Sequence, residues 1–169
     1  MPIKCSPISR KSLRDYAFQI RKSLNLDKQM YFPVLDFLDV LPEIFPNFTY
    51  EILEDHMIDD DKHAITDVKN EKMYIKQSVY DGASNNVGRD RFTIAHEIGH
   101  YLLISVNGMQ FARSFEEPKV YENPEWQADV FAAELLVPHH LISRYKRPSS
   151  ISKKCGVSID CARCQLNKK

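Results

Sequence analysis

The fold of this chain is decided by the stretch Phe92-Thr93-Ile94-Ala95-His96-Glu97-Ile98-Gly99-His100-Tyr101-Leu102-Leu103. Its apolar residues recur at helical spacing, which predicts a largely buried helix. His96 and His100 are four residues apart, so they lie on one helix face about one turn apart. Two imidazoles in this arrangement can share one metal ion, and Zn²⁺ is the usual occupant of such a pair.

Two other residues of the same helix carry information. Glu97 points about 100° away from His96, where it can reach a water on the metal but is not aligned to be a third ligand. That division of labour is typical of a metal hydrolase. Gly99 in mid-helix costs about 1 kcal/mol relative to alanine, which predicts that another segment packs closely against it.

A catalytic zinc takes three protein ligands and keeps one position for water. The carboxylates downstream of the helix are Glu116, Glu117, Glu122, Glu125, Asp129 and Glu134. Glu125 and Asp129 stand out because they lie four apart on one face of an otherwise apolar helix. One can bind the metal while the other accepts the free N–H of a ligating histidine. The alternative is a carboxylate that favours the helix dipole and a surface aspartate.

The remaining pattern predicts a single α+β domain over residues 1–169. The expected helices cover residues 9–24 (capped by Ser9), 33–41 (closed by Pro42), 91–104 (capped by Asp90), 124–136 (capped by Asn123, with Pro124 at the first helical position), 141–146, 149–154 and 158–166. The expected strands cover residues 48–53, 63–69 and 72–77. Residues 78–88 are expected to form a polar loop, and residues 105–123 an irregular wall or lid of the site. The fold class is thus a small antiparallel sheet of three strands packed on the H-E-x-x-H helix, with further helices around it. The strand at residues 72–76 has lysine at both ends, which is typical of an edge strand.

Charge and hydropathy exclude several classes of partner. Lys+Arg and Asp+Glu are equal at 23 each, so no long-range field attracts nucleic acid or an anionic membrane. No apolar run is long enough to span a bilayer, and the N-terminus lacks a signal-peptide core. We therefore expect a cytoplasmic protein with no membrane contact. Residues 152–158 contain the glycine turn of a helix-turn-helix, but in a neutral chain we expect that corner to pack rather than bind DNA.

The cysteines do not indicate a disulfide scaffold. The chain has four of them, Cys5, Cys155, Cys161 and Cys164, which is few for its length. Cys161 and Cys164 form a C-x-x-C that could be a redox pair or half of a zinc site. It has no second C-x-x-C and no preceding strand, so we interpret both as structural cysteines.

Two motifs resemble those of the ImmA/IrrE family of metallopeptidases. The family shows F-T-x-A-H-E-x-G-H followed by E-x-x-A-[DN]-x-F-A-A-x-L-L-x-P. Residues 92–100 and 125–138 match both, with Val137 where methionine is common. Met73-Tyr74-Ile75 and Cys155-Gly156-Val157-Ser158 also fit. The resemblance covers roughly residues 30–167, so residues 1–29, with the first helix, lie outside the clear match, and residues 139–169 supply the short C-terminal helices.

The resemblance implies a gluzincin-like, zincin-type zinc site. It places His96, His100 and Glu125 on the metal, Glu97 as the general base, and Asp129 behind a histidine. It also implies a cytoplasmic zinc endopeptidase that cleaves a helix-turn-helix repressor of a mobile element, a phage or a stress regulon. The alternative is a regulatory binding module, an anti-repressor or toxin–antitoxin component, with a structural zinc. The sequence leaves the oligomeric state and the oxyanion-stabilising residue open; His139, His140 and Tyr121 are candidates for the latter.

Overall fold

The computed structural model describes residues 2–106, 111–113 and 115–168. In chain order its strands and helices are β1 (Ile3–Cys5), α1 (Arg10–Ser23), α2 (Val34–Ile44), β2 (Thr49–Leu53), β3 (Ala64–Asp67), β4 (Lys72–Lys76), α3 (Gln77–Ser84), α4 (Gly88–Tyr101), β5 (Phe111–Arg113), α5 (Pro124–Leu136), α6 (His139–Ile142), α7 (Pro148–Cys155) and α8 (Ile159–Asn167). Short 3-10 turns cover Asp55–Met57 and Val120–Glu122, and a π turn at Leu102–Val106 extends α4. This composition confirms the α+β class. Among the described helices, none has both the length and the apolar character needed to cross a bilayer.

The three-stranded sheet has the order β2-β4-β3 and is mixed. β3 pairs antiparallel with β4, but β2 pairs parallel with it, so the prediction of an all-antiparallel sheet was wrong. β4 is the central strand, and the prediction that it lies at an edge was also wrong. Its terminal lysines have partners within the fold: Lys72 pairs with Glu51 at 2.9 Å, and the buried Lys76 donates to the Asp59 carbonyl at 3.1 Å. β2 and β3 are the edge strands of this sheet, and β3 packs against helix α4.

Helix α4, which carries the H-E-x-x-H motif, packs against α5 in the core. Gly99 lies at their contact, where a Cβ would meet the Phe131 ring at 2.8 Å and Ala128 Cα at 3.5 Å. This confirms the prediction that another segment packs closely at the glycine. Ile94 and Ile98 on α4 are fully buried, as is Phe131 on α5. The close approach of the two helices is what brings their polar residues together at the site.

Helix α1 packs along α5 and is held there by three arginines. Arg21 is fully buried, and its guanidinium donates to the carbonyls of Leu135 and Leu136, at 2.7 and 3.3 Å, and to three carbonyls of the loop after α1. Arg10 and Arg14 both bind Glu134, whose side chain is 1% exposed. A buried guanidinium or carboxylate is costly unless its hydrogen bonds are satisfied, so these contacts fix the position of α1 on α5.

Several local predictions hold and others do not. Ser9 caps α1 by accepting from Ser12 N, and Asn123 caps α5 with Pro124 in its first turn, both as expected. Pro42 does not close α2, which continues to Ile44 because fully buried Leu38 and Leu41 hold it against the core. The first of the short C-terminal helices lies slightly earlier than predicted, at His139–Ile142.

The prediction that residues 78–88, before helix α4, form a polar loop was also wrong. Most of residues 78–88 belong to helix α3, because Val79 and Ala83, four apart, both bury a side chain. Helix α4 begins at Gly88, and Asp90 lies inside its first turn rather than at the cap, against Gly82 of α3.

The predicted irregular stretch also contains structure, since β5 pairs antiparallel with β1, a strand that the sequence did not indicate. Residues 107–110 and 114 of that stretch lie outside the described part of the chain.

Candidate metal centre

Helices α4 and α5 bring three of the predicted ligands together. Nε2 of His96 lies 3.1 Å from one oxygen of Glu125, and Nε2 of His100 lies 3.1 Å from the other. The three ligand atoms all lie within 4.8 Å of one another. Ligands at about 2.0–2.1 Å from a tetrahedral zinc are about 3.3 Å apart. The three side chains thus converge on a space of the size that such an ion requires.

The first turn of α5 holds Glu125 in place. Asn123 accepts hydrogen bonds from the backbone N–H groups of Glu125 and Trp126, at 2.9 and 3.3 Å. Pro124 occupies the first helical position, where its fixed φ suits the helix start. Glu125 is therefore part of a capped, rigid turn that faces α4, and its side chain remains 68% exposed at the mouth of the site.

Asp129 lies one turn further along α5, behind His96. Its Oδ1 is 2.7 Å from His96 Nδ1, the ring nitrogen that does not face Glu125. A carboxylate at this nitrogen fixes the proton there and leaves Nε2 free to act as a ligand. The structure therefore places Asp129 against the ring nitrogen of His96 that faces away from Glu125, as the four-residue spacing from Glu125 predicted.

The electrostatics of the site favour a cation. Burial lowers the pKa of His96, but its hydrogen bonds to Asp129 and Glu125 outweigh burial and raise the pKa to about 10. Hydrogen bonds from His100 and His96 hold the pKa of Glu125 far below its usual value. Both shifts come from hydrogen bonds between carboxylates and imidazoles at this site. A divalent ion can replace the proton at His96 Nε2, so the donor set fits a zinc ion.

Glu97 faces the same space and is held by a residue that the sequence analysis missed. The hydroxyl of Thr66 on β3 lies 2.6 Å from Glu97 Oε2 and 3.1 Å from the Glu97 backbone carbonyl. Burial raises the pKa of Glu97, and the hydrogen bond to Thr66 opposes that rise. Thr66 has no local signature as a site residue, because its partner lies 31 positions away.

The site opens into a cleft of about 390 Å³. Its polar floor includes Glu97, His100 and Glu125, and its apolar wall includes Ile3, Ala64, Ile65, Val68, Ile104 and Pro124. Strand β3 contributes Ala64, Ile65 and Thr66 to its lining, and the N-terminal strand β1 contributes Ile3. A cleft of this form can accept an extended chain beside the metal centre.

The candidate oxyanion residues lie elsewhere. The ring of His140 contacts the Asp27 carbonyl at 2.5 Å, and His139 lies near Arg14 and Glu134. Tyr121 lines a separate groove with Trp126 and residues 7–10. The described residues that line the cleft therefore do not include His139, His140 or Tyr121.

The four cysteines are all free thiols. Cys155 is buried, Cys161 is half-buried and Cys164 is exposed. Burial raises the pKa of Cys161 to about 12, so its thiolate is scarce near neutral pH. The interpretation of the C-x-x-C as structural stays a prediction.

Comparison with known proteins gives a consistent result for fold and family. A solved structure of a Mycobacterium tuberculosis transcriptional regulator matches with a TM-score of 0.61 at 15% sequence identity, over 92% of this chain and 46% of that one. This chain thus spans less than half of that regulator, and the likeness shows the fold alone. No curated protein matches the chain. The model of the metallopeptidase family Peptidase_M78, described as the IrrE N-terminal-like domain, matches residues 56–162. Because this match covers more than half of the sequence and confirms the resemblance carried by the two motifs, the chain belongs to the Peptidase_M78 family.

Proposed function

We propose that this protein is a zinc-dependent endopeptidase of the cytoplasm. The observation that carries the proposal is the convergence of His96, His100 and Glu125 beside a half-buried glutamate, Glu97, in a cleft open to a peptide. The whole of residues 1–169 would act as one domain. The substrate we propose is a helix-turn-helix transcriptional repressor of a mobile element, a phage or a stress regulon. This substrate class rests on the family resemblance.

In the proposed mechanism, His96, His100 and Glu125 hold the zinc. When bound, zinc lowers the pKa of a water to about 7 and polarises the scissile carbonyl. Glu97 accepts the proton of the attacking water and delivers it to the leaving amine nitrogen. Thr66 fixes one Glu97 oxygen, which leaves the other to move that proton. Asp129 keeps the proton of His96 on Nδ1 and orients the ring.

The substrate strand would bind along β3, because β4, which the sequence indicated as an edge strand, has a partner on both sides. Among the described strands β3 pairs only with β4, so no described strand covers the backbone N–H and C=O groups of its other edge. Ile65 and Thr66 of this strand line the cleft beside Glu97. Strand addition along β3 would place a scissile bond next to the general base.

The experiment compares three metal-loaded proteins: the wild type, Glu97→Gln, and Glu43→Gln as a control at an exposed glutamate of α2. Each is incubated with helix-turn-helix regulators encoded near its gene, and fragments are identified by mass spectrometry. We expect Glu97→Gln to retain zinc and to lose cleavage, while Glu43→Gln behaves as the wild type. Cleavage retained by metal-loaded Glu97→Gln would contradict the mechanism. An intact regulator in a stoichiometric complex with the wild type would support the binding module instead.

A further inference from the structure

The N-terminal segment, residues 2–8, lies outside the family match at residues 56–162 yet is tied to the chain that enters α5. Gln127 is buried, and its side-chain amide donates to the carbonyls of Ser6 and Tyr121 at 2.8 Å each. Ile8 N–H donates to the same Tyr121 carbonyl at 3.1 Å. These bonds hold the N-terminal segment against Tyr121 and Gln127, which lie on either side of Glu125 in the sequence.

Two further contacts fix the strand itself. Lys4 pairs with Glu122 at 3.1 Å, and the thiol of the buried Cys5 donates to the Glu122 carbonyl at 3.1 Å. Strand β1 also pairs with β5, so that Ile3 is opposite Arg113. The position of β1 is thus set by its pairing with β5 and by its two contacts with Glu122, three residues before Glu125.

Ile3 has an apolar side chain that remains 53% exposed. It lines the cleft together with Ile65 and Ile104, within the same cavity as His100 and Glu97. Leaving apolar area in contact with water forgoes the stabilisation that burial would give. If a ligand entered the cleft, its apolar group and the Ile3 side chain would bury each other.

We propose that Ile3 is a specificity-determining residue. With Ile65 and Ile104 it forms a subsite that takes a branched apolar side chain of the substrate next to the scissile bond. This inference rests on the proposed function, because it needs a metal centre at which a peptide group binds. Ile3 lies outside residues 56–162, the region that the family model matches, and contributes an apolar side chain to the cleft.

The test uses two small metal-binding probes, leucine hydroxamate and glycine hydroxamate, and measures their binding to the zinc-loaded protein by calorimetry. Both carry the same metal-binding group, so the ratio of their affinities reports the subsite alone. We expect the wild type to prefer the leucine probe by at least about tenfold. Ile3→Ser should reduce this ratio to about two or three, with little change for the glycine probe. The control is Ile44→Ser, since Ile44 is equally exposed, at 51%, but lies on α2.

A second variant, Ile3→Phe, keeps an apolar residue on β1 and fills the subsite. It should weaken the leucine probe and spare the glycine probe, which a loss of folding would not do. An unchanged ratio in both Ile3 variants, or an equal loss in Ile44→Ser, would overturn the proposal. Failure of the wild type to bind either probe would overturn the metal centre itself, and the inference with it. A wild type that binds both probes equally would overturn the subsite and leave the metal centre intact.

Discussion

Replacing Gly99 by alanine should weaken zinc binding more than it weakens the fold. The new Cβ would lie 2.8 Å from the Phe131 ring, whereas ordinary contacts begin at 3.4 Å. The ring is fully buried and packs against Tyr16 at a centroid distance of 5.7 Å, so it has little room to retreat. Helices α4 and α5 would therefore separate by about 0.6 Å at this point, the difference between those two distances.

The separation acts directly on the metal ligands. His100 follows Gly99 on α4, and Glu125 lies about one turn before Ala128, whose Cα lies 3.5 Å from the position of the new Cβ. Ligand distances in a metal site tolerate about 0.2 Å, so a displacement of about 0.6 Å lies well outside that range. We expect zinc affinity to fall at least tenfold, as is typical when the support of a ligand is disturbed.

The effect on the free energy of unfolding should be smaller. Alanine gains about 1 kcal/mol in helix propensity over glycine, and overpacking costs about 1–3 kcal/mol. The metal-free protein should therefore lose no more than about 2 kcal/mol. Chemical denaturation of the metal-free protein measures this change, and competition with a chelating dye measures the zinc affinity.

A double variant tests the cause. Phe131→Leu removes the ring atoms that the new Cβ would meet, so Gly99→Ala combined with Phe131→Leu should regain much of the zinc affinity that Gly99→Ala loses. Phe131→Leu alone serves as the control for the cavity it creates. A zinc affinity of Gly99→Ala within twofold of the wild type, with the fold intact, would refute the reasoning.

Three further predictions follow from contacts at the site and near it. Thr66→Val should leave the zinc content unchanged but lower the cleavage rate roughly tenfold or more, because a hydrogen bond to a charged group is worth about 1.5–3 kcal/mol. Thr66→Ser should restore the rate. A Thr66→Val enzyme as fast as the wild type would exclude a role of Thr66 in holding Glu97. Asp129→Ala should reduce zinc affinity about 10- to 100-fold in the same dye competition, and an unchanged affinity would show that His96 needs no orienting partner. Alkylation at pH 8 should modify the exposed Cys164 first, since a Cys161 pKa of about 12 leaves roughly one thiol in ten thousand as thiolate; equal rates by mass spectrometry would contradict the burial of Cys161.

The helices that carry the site could be predicted because their signals are local. The Ser9 and Asn123 caps and the apolar spacing around His96 each involve residues within one or two turns of one another. Helix geometry alone places the two histidines on one face. Glu125 and Asp129 lie on a second helix, and they were predicted from their four-residue spacing together with the family motif; the fold places both against His96.

The elements that were missed depend on distant parts of the chain. The order of the sheet places β4 in the centre, and a lysine at each end of a strand cannot reveal that Glu51 and the Asp59 carbonyl will satisfy them. Strand β1 has three residues and a partner more than 100 positions away, so neither periodicity nor a turn marks it. Thr66 is an ordinary strand residue until the fold places it against Glu97.

The arginine contacts between α1 and α5 have a consequence for biosynthesis. Arg21 reaches the carbonyls of Leu135 and Leu136, 114 and 115 positions later in the chain. At roughly 5–20 residues per second, a ribosome needs about 6–23 seconds to make the residues that accept these hydrogen bonds. Throughout that interval helix α1 lacks the acceptors that α5 supplies to Arg21 and cannot dock on that helix. The docking of α1 is therefore a non-local step of folding that waits for the synthesis of α5.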